Sequence, residues 1–153
     1  MTAASTTVYS ERLFPSAPWW ITLMLLSAMT SLLALPISRV GAVILPLLVA
    51  AGVILWMRSL SARVVVTDES FVAGPARIER SFITAVSGHD AQDAFAQRGH
   101  QLDVRAFLVL RPWVKPVVRV EIDDPADPTP YWLVSTRHPQ ELAAVLEPTT
   151  ATT

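Results

Sequence analysis

Three carboxylates within five positions, Asp123, Asp124 and Asp127, form the densest acidic group in the chain. They open the stretch DDPADPTPYWLVSTRHP, which also carries four prolines. Hard oxygen ligands of this kind suit Ca²⁺ or Mg²⁺. An EF-hand loop, however, needs acids at regular steps, a central glycine and a closing glutamate, and this stretch has none of that pattern. Asp and Pro are also the usual turn formers, because Asp bonds its own backbone and Pro fixes φ. Pro125, Pro128 and Pro130 remove donors that a sheet ladder needs. The stretch is therefore expected to be a rigid, solvated connection between two strands.

Other reactive groups are sparse. His89, Asp90 and Asp93, with His100 nearby, could suit zinc, but no helical H-E-x-x-H pairing exists, and polar residues on a surface helix or loop are expected. Ser135 and Thr136 fall in a predicted strand, and His138 is too close along the chain to face them. There is no G-x-S-x-G elbow and, with five glycines in all, no phosphate-binding loop. The chain has no cysteine, which excludes disulfides, zinc–thiolate sites and thiol nucleophiles. No catalytic, metal or cofactor-binding residue is assigned, no cofactor is expected, and the chain is read as not an enzyme. One cationic set stands out. RPWVKPVVR places Arg111, Lys115 and Arg119 around Trp113, and an aromatic ring with adjacent cations can meet anionic lipid headgroups at an interface. The competing reading is an ordinary strand connection whose charges are solvated or paired with Glu121 and Asp123. Arg77 and Arg80 could extend the patch.

The elements that must position these groups divide sharply. Of the 153 residues, 52% are hydrophobic, and the excess is concentrated in residues 19–57. As one straight helix those residues would run about 58 Å at 1.5 Å each, against a hydrocarbon core roughly 30 Å thick. The chain must break, and the polar break is LPISRV, where Pro36 lacks a donor and Arg39 is the only charge. Two spans are predicted, 19–35 and 40–57, without the polar stripe of a soluble helix. Trp19 and Trp20 open the first and Trp56 closes the second, which puts a tryptophan belt at one interface. Arg12, Arg58 and Arg63 lie on that side and Arg39 on the other, so both termini are expected in the cytoplasm. Pro46 interrupts the second span, with its lost hydrogen bond offset locally. Neither span holds an ionisable residue, which disfavours a transporter or pump. A net charge of −1 gives no field for nucleic acid.

Composition changes after Met57. Short β-branched runs predict strands near 63–67, 70–73, 76–79 and 83–87, with turns at Asp68-Glu69 and Gly74-Pro75. A short helix or ordered loop is expected over 90–97, ended by Gly99. RAFLVLRPW is apolar on both parities, as for a strand buried on both faces. VVRVEID alternates, with Val118, Val120 and Ile122 inward. YWLVST follows, with Trp132 and Val134 suited to the inner face, and the two strands are expected to pair antiparallel. Pro139 fits the first position of a closing helix, Glu141 its first turn, and Leu142, Val145 and Leu146 share one face.

YSERLFPSAPWW, AFLVLRPWV and DDPADPTPYWLVSTRHPQELAAVL, together with the apolar hairpin, closely resemble a family of small uncharacterised actinobacterial membrane proteins known only as a domain of unknown function. The resemblance covers about residues 9–146. Where that family has an Asp-Gly turn, this chain reads Asp68-Glu69. STRHPQELAAVL also looks like the closing strand and helix of bacterial pleckstrin-homology-like membrane proteins, which often carry a paired-helix anchor. The resemblance implies no catalytic residues.

The expectation is an α+β protein: an N-terminal segment (1–18), a two-span transmembrane hairpin (19–57), an antiparallel β-rich, pleckstrin-homology-like domain with a C-terminal amphipathic helix (58–147), and a disordered tail (148–153). The function expected is a multi-pass cell-membrane protein presenting a non-catalytic binding or scaffolding domain to the cytoplasm. Its expected partners are membrane lipids and a second copy or larger membrane assembly, not nucleic acid. Two rival readings are an anionic-lipid sensor acting through Arg111, Trp113, Lys115 and Arg119, and an enzyme acting on lipid-linked substrates. A deep pocket lined by several of the His and Asp residues would favour the enzyme.

Overall fold

The structure is a computed structural model and describes residues 6–147. The tail expected to be disordered lies outside the described residues. In chain order the elements are β1 (Thr7–Arg12), α1 (Ala17–Ala34), α2 (Gly41–Ser59), β2 (Arg63–Thr67), β3 (Ser70–Ala73), β4 (Ala76–Glu79), β5 (Ile83–His89), α3 (Asp93–Arg98), β6 (Phe107–Val109), β7 (Val117–Ile122), β8 (Tyr131–Ser135) and α4 (Pro139–Leu146). A single 3₁₀ turn, Arg80–Phe82, joins β4 to β5. The chain forms two compact units, Phe14–Ser61 and a second built from both flanks of it.

The first unit is the helix pair. Its helices begin and end within two residues of the predicted spans, and residues 35–40 make the turn. Both are long and apolar enough to cross a membrane, and only 11% of each apolar window is buried. The small and polar side chains meet between the helices, with Ser27, Ala34 and Ala42 buried, while Leu33, Leu48 and Leu55 point outward. Pro46 has no N–H, so the Ala42 carbonyl one turn back loses its helical donor. The Ser31 hydroxyl of α1 donates to that carbonyl at 2.7 Å. The Ser27 hydroxyl donates to the Pro46 carbonyl, also at 2.7 Å. The bond that proline removes is thus replaced across the hairpin, by the neighbouring helix.

The second unit holds two four-stranded sheets, ordered β1-β2-β3-β4 and β5-β7-β8-β6. The first is antiparallel throughout. Its β3–β4 turn needs Gly74, whose φ of +60° is left-handed and strained for residues with a Cβ. In the second sheet β7 pairs antiparallel with β5 and β8, and the Val118–Val134 and Val120–Trp132 registers put the alternating apolar residues on one face. That face packs against Val64, Val66 and Phe71 of the first sheet and Leu142 and Leu146 of α4. Burying each of those two leucines stabilises the fold by about 1.5–3 kcal/mol. The opposite face carries Val117, Tyr131 and Leu133 under Ala94 of α3, a second small core.

Two expectations are corrected. The strand buried on both faces is β8, whose five residues are all buried, rather than the RAFLVLRPW strand. That stretch supplies only β6, three residues at the sheet edge running parallel to β8. The second core does not include Leu108, which is 42% exposed. The N-terminal segment, read as separate from the domain, contributes β1, which pairs antiparallel with β2 from Thr7–Thr67 to Arg12–Arg63. The Leu13 N–H continues the ladder to the Ala62 carbonyl at 3.0 Å. Residues 13 and 62, the last before the helix pair and the first after it, are therefore neighbours.

Candidate functional site

The aspartate loop is occupied by its own backbone. Asp124 and Asp127 form a bridge, the Asp124 carboxylate accepts from the Ala126 N–H at 2.8 Å, and that of Asp127 from the Thr129 N–H at 2.9 Å. Hydrogen bonds from Thr129 hold the Asp127 carboxyl below the usual carboxylate range. The loop joins β7 to β8, as expected of a connection. Among the described residues no group of three or more His, Asp or Glu could hold a metal ion. Asp90 forms the turn into α3 instead: one carboxylate oxygen accepts from the Gln92 and Asp93 N–H groups. The His89 ring bonds the Ser87 hydroxyl at 3.0 Å.

The hydroxyls at the end of β8 are also committed. Ser135 is buried, donates to the Val114 carbonyl at 3.2 Å and accepts from the Arg111 N–H at 3.0 Å. Thr136 donates to Glu11 at 2.6 Å. That carboxylate, whose side chain is 9% exposed, also accepts from the Tyr9 hydroxyl and from the backbone and guanidinium of Arg137. Glu11 thereby ties β1 to the junction of β8 and α4. Burial, and then the negative charge of Glu11, push the Tyr9 phenol up to about 12.

The four residues of the cationic set are not one patch. Arg119 lies under α3, its guanidinium 3.9 Å from the centre of the Tyr131 ring, bonded to Gln97 at 3.3 Å and paired with Glu121. Trp113 packs against the main core and its indole N–H donates to the Leu13 carbonyl at 3.2 Å. Arg111 starts the tight turn closed by the Arg111–Val114 bridge, and its guanidinium bonds the Leu110 carbonyl at 2.8 Å. Lys115, one residue past the turn, is exposed.

Lys115 instead shares a surface groove of about 430 Å³ with Ala91, Phe95, Arg98 and Pro112. Arg98 shapes it. Through Nη2 it donates to the Val114 and Lys115 carbonyls at 2.9 and 2.7 Å and to Ser135 at 3.2 Å. Its Nε is buried without an acceptor. Burial pulls this guanidinium below its ordinary range. Among the described residues neither Arg98 nor Lys115 has a carboxylate partner. Phe95 stands at the groove 81% exposed. The sequence did carry a signal for Phe95 and Arg98: on α3 the small Ala94 turns inward while the large Phe95 turns outward, and Arg98 follows at i+3 on the same face.

Comparison with known proteins adds one finding. No curated protein matches the chain, and no solved structure matches it. The family model described as "Protein of unknown function (DUF3093)" matches residues 8–146, from β1 through the last residue of α4, so the chain belongs to that family.

Proposed function

We propose that the chain is an integral membrane protein whose helix pair crosses the cell membrane twice. It displays the β unit, a pleckstrin-homology-like binding or scaffolding domain, on the cytoplasmic face. The observation that carries this reading is the β1–β2 ladder. Since Leu13 and Ala62 are bonded neighbours, the chain leaves and re-enters the β unit at one place, and spans between them must return to the side they left. The helices' composition supports insertion: a soluble core helix is mostly buried, and these are not. Arg12, Arg58 and Arg63 at the open end of the pair, against Arg39 in its turn, favour that end in the cytoplasm. Support for the pleckstrin-homology-like plan comes from two largely antiparallel sheets and a closing C-terminal helix; the parallel β6–β8 pair goes beyond it. A non-catalytic role is supported by Asp90, Asp124, Asp127, Ser135 and Thr136 being engaged in turns and core bonds.

The chain lacks cysteine, so single cysteines report sidedness cleanly. In intact cells a membrane-impermeant maleimide is expected to label Ser38→Cys from outside, and Asp124→Cys only after permeabilisation. Labelling of both positions from one side, or release of the protein by alkaline carbonate, would refute the reading.

A further inference from the structure

We infer that the groove at Phe95, Arg98, Pro112 and Lys115 holds the phosphate headgroup of an anionic phospholipid. The inference rests on the membrane reading above and deepens it by naming a ligand class and a site. Two cations face one groove, and among the described residues no carboxylate pairs with either. A half-buried guanidinium in that state favours an anion, and with Nη2 committed and Nε buried it is Nη1 that would meet a phosphate oxygen. Beside the charges lie an exposed phenylalanine and a proline, the apolar surface that the glycerol and upper acyl region of a lipid would cover. A volume of about 430 Å³ is of the order that takes a small ligand.

The groove's position argues for a lipid source over a free anion. Its wall is the 111–115 turn, clamped on one side by Arg98 through the Val114 and Lys115 carbonyls. On the other side the Trp113 indole holds the same turn to Leu13, the residue at which the chain leaves the β unit. Four residues later α1 begins, a reach of at most about 14 Å of extended chain. The groove's wall is therefore tied to the point from which only a short length of chain leads to the proposed first span.

The test uses the full chain in non-ionic detergent, titrated calorimetrically with dihexanoyl phosphatidic acid, dihexanoyl phosphatidylcholine and inorganic phosphate. Phosphatidic acid is expected to bind saturably and at least about tenfold more tightly than either other probe, with affinity falling as salt rises. Lys115→Gln is expected to weaken that binding about fivefold, the share of one lysine near an anionic surface. Phe95→Ser should weaken it while leaving the salt dependence intact. Both side chains are exposed, so neither change threatens the fold; Arg98→Lys keeps the charge and should lose less than Arg98→Gln. Equal affinity for the two lipids overturns the inference, as does unchanged binding in both Lys115→Gln and Phe95→Ser. Inorganic phosphate binding as tightly as the lipid would make this a free-anion site and also overturn it. Carbonate extraction of the same variants reads anchoring separately, so loss of lipid selectivity with anchoring retained sinks this inference alone.

Discussion

Glu11 gathers its donors from both ends of the chain: Tyr9 beside it on β1, and Thr136 and Arg137 more than a hundred residues on. Tyr9 reports on that cluster. Its ionisation is raised in the folded state, so the folded chain holds the phenolic proton between pH 10 and about 12, where the unfolded chain has released it. The stability from this group is therefore complete below pH 10 and is lost as pH rises toward 12. The phenolate absorbance step that Tyr9→Phe removes should lie near pH 12 in the folded chain and move to about 10 in denaturant; a Tyr9-dependent step at 10 in the folded chain would contradict the burial. At this scale the aspartate loop was legible in the sequence, because turn chemistry is local. The cationic set was not. Arg119 follows Lys115 by four residues, but strand alternation and the sheet's second core turn it inward against Tyr131, which only the tertiary fold decides.

Among the elements, the helix pair is where one residue's defect becomes another's function. Ser31 supplies the donor that Pro46 takes from the Ala42 carbonyl. Ser31→Ala is expected to cost about 0.6–2 kcal/mol in a membrane or detergent setting. In a Pro46→Ala background the helix regains its own N–H, so the same change should cost clearly less. Unfolding of the four chains in a detergent titration gives the coupling, and equal costs in both backgrounds would show that Ser31 does not serve the proline. Both long helices, β2 to β5, β7, β8 and α4 were readable from period and punctuation. One exception was β6: its apolar run on both parities carries no information about which strand becomes central, and β8 took that place.

For the whole molecule, the first strand is the part that pattern could not reveal. TVYSER is mostly exposed and lacks an apolar alternation, and its ladder partner lies beyond the helix pair. A fragment of residues 58–147, which the sequence alone marks as the domain, lacks β1, its ladder with β2 and the Glu11 cluster. It is expected to lose stability on the order of 3 kcal/mol or more, from ladder bonds each contributing about 0.5–1.5 kcal/mol. A peptide of residues 6–13 added in excess should restore it, seen as recovered amide dispersion by NMR. A fragment that is fully folded alone would show that the strand is dispensable.

That split ladder also sets an order of events during synthesis. The ribosome releases β1 first and then makes residues 13–62 before β2 exists, a delay of a few seconds at ordinary rates. In the proposed two-span arrangement, a translocon that threaded only one helix would leave β1 and β2 in different compartments, and the sheet would never close. A folded domain is then a receipt for two completed crossings, and proteases that clear unfinished sheets would remove wrongly threaded chains without needing to inspect the helices themselves.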